Sequence, residues 1–136
     1  MGNPLYHFDL VMDGDALAGI LLSWHFAGYA YVEHFAINPE LRGKSLGSKS
    51  LEAFCAMHDL VILEIDPPID PVAVRREVFY QKLGFHSNPY PHRHPPYRPG
   101  VTPHELVVMS HARAVTREEY GQFADDLANI VMADVR

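Results

Sequence analysis

Hydrophobic and polar positions change their spacing several times along this chain, and each change marks an element. From Leu5 to Met12 the residues favour a strand and run into Asp13-Gly14-Asp15, where glycine supplies the positive φ of a tight reversal. Ala16 to Phe26 forms a second such run, and Ala27-Gly28 turns it into a third, Tyr29 to Ile37, ended by Asn38-Pro39. The pattern predicts a three-stranded meander.

Beyond Pro39 the period changes. Glu40 to Ser48 is polar and carries glycine, and then Gly47, Leu51, Phe54, Cys55 and His58 recur at helical spacing. Leu60 to Ile65 is apolar except for Glu64 and stops at Asp66-Pro67-Pro68, which reads as a buried strand parallel to the one ending at Ile37. Val72 to Leu83 predicts a second helix closed by Gly84, with Val74, Val78, Tyr80 and Leu83 loosely on one side. Pro89, Pro91, Pro95, Pro96 and Pro99 make Ser87 to Pro103 irregular. Glu105 to Ser110 is the last predicted strand. Thr116-Arg-Glu-Glu119 is a capping box, opening a helix that lines up Tyr120, Phe123, Leu127, Ile130 and Val131. Strands and helices in this order define an α/β (α+β) fold with a mixed sheet.

Composition narrows the function. With 136 residues, 48% of them hydrophobic, the chain is expected to be a single domain over 1–136. Eleven Lys and Arg against 17 Asp and Glu give a charge of −6, which supplies no basic field for a nucleic-acid partner. No run approaches the roughly 18 apolar residues of a membrane span, and the first residues lack the features of a signal peptide. Cys55 is the lone cysteine and lies on an apolar helix face, so the expectation is a reducing, cytoplasmic setting and an inert thiol.

A strand that ends in a glycine-bearing loop and continues as a helix presents backbone N–H groups at the positive end of a helix dipole, an anion site suited to a diphosphate. Arg42 and Lys44 add positive charge to it. A nucleotide loop is the weaker reading, because Asn38 stands where the Walker pattern wants its first glycine, although Gly43-Lys44-Ser45 is present.

Arg42-Gly-Lys-Ser-Leu-Gly47 resembles the acyl-CoA pyrophosphate loop of the GNAT superfamily of N-acetyltransferases: Gln or Arg, two residues, Gly, one residue, Gly or Ala. Phe35-Ala-Ile-Asn-Pro39 before it looks like that family's fourth strand and its exit. Val78-Phe-Tyr-Gln-Lys-Leu-Gly-Phe85 is similar to its second signature. The resemblance implies an acetyl-CoA half over 29–85 and an acceptor-side loop over 86–103, with Phe35, Ala36, Ile37, Arg42, Gly43, Lys44, Ser45, Leu46, Gly47 and Ser48 binding the cofactor, while the helix over 116–133, beyond the resemblance, reads as a packing element or part of a dimer face. It implies direct acetyl transfer to a primary amine, with Tyr80 protonating the departing thiolate, backbone N–H groups near Phe35 to Ile37 holding the oxyanion, and Glu33 or Glu64 taking the amine proton.

Each of these residues has a plainer use. Glu33, which strand alternation puts on one face with Tyr31 and Phe35, could be an ordinary ion-pair partner; Glu64 could be a carboxylate at a strand mouth; Tyr80 could pack in the core. Ser45 replaces the first loop glycine and is expected as a helical N–H donor whose hydroxyl also reaches phosphate. Ala73 stands where many members carry Asn. The chain also starts at what looks like the family's second strand, so the expectation is a fragment, a shortened gene product, or a chain that borrows its acceptor wall from a partner subunit, as in a homodimer. A non-catalytic acyl-CoA-binding module is the rival. His86, His92, His94 and His104 invite a metal, but the prolines among them favour a loop over the acceptor mouth, and no metal site is expected.

Overall fold

The computed structural model describes residues 3–40, 45–95 and 105–133. It divides inside one strand into two compact units, 1–63 and 64–136. Among the described residues the fold is a mixed α+β architecture of seven strands and three α-helices.

In the first unit, β1 (Tyr6–Asp13), β2 (Ala16–Phe26) and β3 (Tyr29–Ile37) form the expected antiparallel meander. Gly14 and Gly28 make its two reversals at φ of 62° and 88°. Helix α1 (Leu46–Ala56) buries Leu51, Phe54 and Cys55. It returns the chain to β4 (Val61–Ile65), which runs parallel to β3 from Ala30–Val61 to Val32–Leu63. The crossover demanded by parallel pairing is thus made by α1.

The β2–β3 ladder carries a bulge. Leu22 pairs with His34 but Ser23 pairs with Val32, so Glu33 is the extra residue of β3. Its consequence is a change of face. Tyr31 lies opposite Trp24 and Phe35 opposite Leu21, and Leu21 and Trp24 point to opposite sides of β2. Plain alternation, which groups Tyr31, Glu33 and Phe35, therefore fails at this point. Near the end of the same ladder Gly19 is pressed against β3: a Cβ there would collide with the carbonyl oxygen of Ala36.

In the second unit, α2 (Pro71–Lys82) starts from Asp70, whose Oδ1 accepts from the Ala73 amide at 2.8 Å, with proline following the cap. Gly84, at φ 96°, turns α2 into β5 (Phe85–Ser87). Strand β7 (Glu105–His111) pairs antiparallel with β5, and with the two-residue β6 (His92–Arg93). The segment predicted to be irregular thus gives up Ser87 to β5 and His92 to β6. Pairing at an edge, over two residues, is what its prolines leave room for.

Asn88 is buried and joins three segments. Its Nδ2 donates to the Val108 carbonyl and the Ser110 hydroxyl, both at 3.0 Å, and its Oδ1 accepts from the Val115 amide. Helix α3 (Arg117–Asp126) opens with the predicted capping box between Thr116 and Glu119, then widens into a π-helical turn over Leu127–Val131. Phe123 and Leu127 are buried as the periodicity predicts. Helix α2 departs from prediction, since Val72, Val74 and Val78 are exposed and Ala73 is its buried residue. Among the described residues no helix is long and apolar enough to cross a membrane.

Candidate active site

The cofactor candidates fall on both sides of the β3–α1 connection. Phe35, Ala36 and Ile37 form the end of β3, where the backbone has passed beyond its ladder with Val61–Leu63. Asn38 fastens the exit, its amide donating to the Ala18 carbonyl at 2.6 Å and its Oδ1 accepting from the Glu40 amide at 3.0 Å. Arg42, Gly43 and Lys44 lie outside the described residues. Leu46, Gly47 and Ser48 form the first turn of α1.

Ser45 corrects an expectation. It is the N-cap of α1, at φ 61° and ψ 19°, and not a helical residue. Left-handed backbone costs a non-glycine residue about 1 to 2 kcal/mol, so the position favours the glycine that Ser45 replaces. Its side chain makes no cap hydrogen bond, and the first turn of α1 holds no acidic residue. The contrast with α2 and α3 is chemical, because Asp70 and Thr116 close those two helices with their own oxygens. The start of α1 keeps the polarity that attracts an anion.

Glu33, carried outward by its bulge, receives the indole N–H of Trp24 on Oε1 at 2.9 Å. Trp24 is buried, and Tyr6 packs on it with ring centroids 5.0 Å apart. Burial and then the Glu33 charge push the Tyr6 phenol above its ordinary pKa. Sequence reasoning missed this donor, because the bulge that brings Glu33 to Trp24 leaves no mark in the apolar pattern.

Glu64 is a member of a partly buried chain of hydrogen bonds within the second unit. Its Oε2 lies 2.5 Å from His92 Nε2, and His92 Nδ1 lies 2.9 Å from the Tyr120 hydroxyl. The Glu64 and His92 side chains are 8% and 2% exposed, which makes this an interior pair. A cavity of about 650 Å³ is lined by Pro91, His92, Arg93, Glu105 and Leu106. A carboxylate inside an apolar run has to find a partner, and that was the available signal. Which residue answers it, 28 positions away, was not readable.

Tyr80 is half-buried on α2, its ring 5.3 Å from Phe79 and 5.6 Å from Phe85. Burial raises its pKa, and the Arg76 charge works against that shift. Glu33 belongs to the first unit, Glu64 and Tyr80 to the second. Cys55 is buried on α1, and burial, with the Glu52 charge adding to it, pushes its thiol to about 12. Among the described residues no three His, Cys, Asp or Glu could hold a metal; His104 lies outside them, and His92 is engaged as above.

Comparison with known proteins places these features in a family. The family model described as acetyltransferase (GNAT) family matches residues 2–85. A structure described as a GNAT-family acetyltransferase from Bacteroides thetaiotaomicron is 32% identical, with TM-score 0.86 over 94% of this chain and 73% of its own. A Bacillus subtilis acetyltransferase in complex with CoA shares the fold at 15% identity and TM-score 0.58, over 78% of this chain and 76% of its own. So does the ribosomal-protein-S18-alanine N-acetyltransferase of Escherichia coli, at 17% and 0.60, over 86% and 75%. A search of curated proteins found no match. The fold is that of an acetyltransferase. The chain belongs to the GNAT acetyltransferase family.

Proposed function

We propose that this chain, acting as one domain over 1–136, transfers the acetyl group of acetyl-CoA to a primary amine by direct attack. The observation that carries this reading is the start of α1: a helix without a side-chain cap or an acidic residue in its first turn, following a loop that contains Arg42, Gly43 and Lys44. Backbone N–H groups of Leu46, Gly47 and Ser48, with the loop cations, suit a diphosphate. The CoA bound by the Bacillus subtilis relative and the N-acetyl transfer named for the Escherichia coli relative point the same way.

The chemistry asks for a base, an oxyanion donor and an acid. A primary amine with a reference pKa near 10.4 is protonated at neutral pH, so Glu33 or Glu64 takes its proton before attack. The C–N bond forms at the thioester carbonyl, and backbone N–H groups at Phe35 to Ile37 stabilise the negative oxygen. The C–S bond then breaks, the CoA thiolate takes the phenolic proton of Tyr80, and the second proton of the former amine nitrogen restores the phenol as the amide forms. A phenol whose pKa is raised by burial keeps that proton until a thiolate calls for it. The segment 86–103 serves the acceptor side, the lone buried thiol suits a cytoplasmic protein, and the chain pairs with a second copy of itself.

The test is release of CoA thiol on mixing the chain with acetyl-CoA and a panel of amines. Turnover with at least one amine, falling about 100-fold in kcat for Tyr80→Phe at unchanged KM for acetyl-CoA, is the expected result. Binding of acetyl-CoA and CoA alike with no turnover on any amine would replace the enzyme with a binding module.

A further inference from the structure

We infer that Glu64, His92 and Tyr120 act as one proton-holding unit, in which the imidazole of His92, and not Glu64 alone, stores the proton that acyl transfer releases. The inference rests on the acetyl-transfer reading above.

Three remote segments converge on this unit: the end of β4, strand β6 and helix α3. The buried Glu64–His92 pair contributes little to stability compared with apolar side chains of the same volume. The unit's geometry offers a hydrogen-bond partner to each ring nitrogen in two protonation states. With one ring proton, His92 donates from Nε2 to Glu64 Oε2 at 2.5 Å, and its Nδ1 accepts from the Tyr120 hydroxyl at 2.9 Å. With a second proton, Nδ1 becomes a donor to the Tyr120 oxygen. The phenolic hydrogen then turns to the Pro91 carbonyl, 3.2 Å away. Both ring nitrogens are hydrogen-bonded in either state, and only one hydroxyl hydrogen has moved.

Aromatic rings pack around the unit. Tyr90 stacks on Tyr120 with centroids 4.9 Å apart and planes 16° from parallel, and its own hydroxyl is tied to the Val115 carbonyl at 3.0 Å. Phe123 lies 5.6 Å from the imidazole. A carboxylate that fixes one edge of an imidazole and stabilises its charged form is the arrangement that makes histidine an effective general base. In the step proposed here, the ammonium proton passes to the Glu64–His92 pair. The imidazolium is neutralised by Glu64, and the proton returns to solvent after CoA leaves.

The experiment uses the full chain with acetyl-CoA and its best amine, comparing His92→Gln and Tyr120→Phe with the unsubstituted protein. The readouts are kcat, the KM for acetyl-CoA, and the rate across H2O–D2O mixtures. His92→Gln is expected to lose about 100-fold in kcat and Tyr120→Phe about 10-fold, with KM held within about twofold. The solvent isotope effect read from the mixtures, set in the unsubstituted chain by proton transfer to His92, becomes smaller in both variants. Tyr120→Phe preserves the ring stack, so it remains informative if His92→Gln fails to fold. Full kcat with an unchanged isotope effect in Tyr120→Phe and in any folded His92→Gln would overturn the inference while leaving the acetyl-transfer reading intact. Absence of turnover in the unsubstituted chain would remove both.

Discussion

Trp24 donates its indole N–H to Glu33 at the bulge of β3, so the tryptophan and the candidate base form one hydrogen-bonded pair across neighbouring strands. Hydrogen bonds to charged groups contribute about 1.5 to 3 kcal/mol. Trp24→Phe keeps an aromatic ring but removes the donor, and is expected to lower unfolding stability by about 2 kcal/mol or more. Urea unfolding followed by circular dichroism reads this, with a change under about 0.5 kcal/mol counting against the pair.

On the opposite side of β2, His25 stacks on His7 at 3.7 Å and meets His58 at 4.7 Å, next to Phe54. Burial lowers the pKa of both His25 and His58, and neighbouring histidines lower them further, while Asp9 pulls His25 up and Asp59 pulls His58 up. A base whose folded pKa lies below its unfolded value of 6.5 binds more protons unfolded. Its stabilising effect is therefore complete above pH 6.5 and fades as the pH falls below it. Thermal midpoints are expected to drop from pH 7 towards pH 5, and His58→Gln to make that slope shallower. Equal slopes for the two proteins would contradict the cluster's role.

Ser45 occupies a left-handed N-cap and its side chain makes no cap bond, so Ser45→Gly removes strain without removing a contact. The substitution is expected to stabilise the chain by about 1 kcal/mol, net of the extra freedom glycine gives the unfolded state. Ser45→Ala, which keeps the Cβ, is expected to gain nothing. Chemical denaturation of both variants checks the difference.

Cys55 is buried with its thiol pushed to about 12, so alkylating reagents at pH 8 are expected to leave it untouched until the chain unfolds. Rapid modification of the native protein would contradict its packing. The same inertness makes thiol release a clean measure of CoA formation.

Much of the fold was legible because its signals are local. Gly14, Gly28, Gly84 and the Thr116–Glu119 box each mark a boundary through their own backbone chemistry, and β3 and α3 start where those markers put them. The candidate site was legible only in part. The Arg42–Gly47 and Val78–Phe85 motifs are local too, and they carried the family resemblance. What escaped the sequence depends on partners far along the chain: the bulge that turns Glu33 towards Trp24, and the packing that sets His92 and Tyr120 against Glu64. Helix α2 shows the same limit, since the apolar spacing of Val74 and Val78 does not say whether anything covers them.

The central claim is that this chain binds acetyl-CoA at the start of α1. Calorimetric titration of the purified protein with acetyl-CoA, with free CoA and ATP as controls, tests it most directly. Saturable binding near one acetyl-CoA per chain, with no heat from ATP, is the predicted result. No heat from either CoA species would contradict the claim and leave the family fold without the proposed activity.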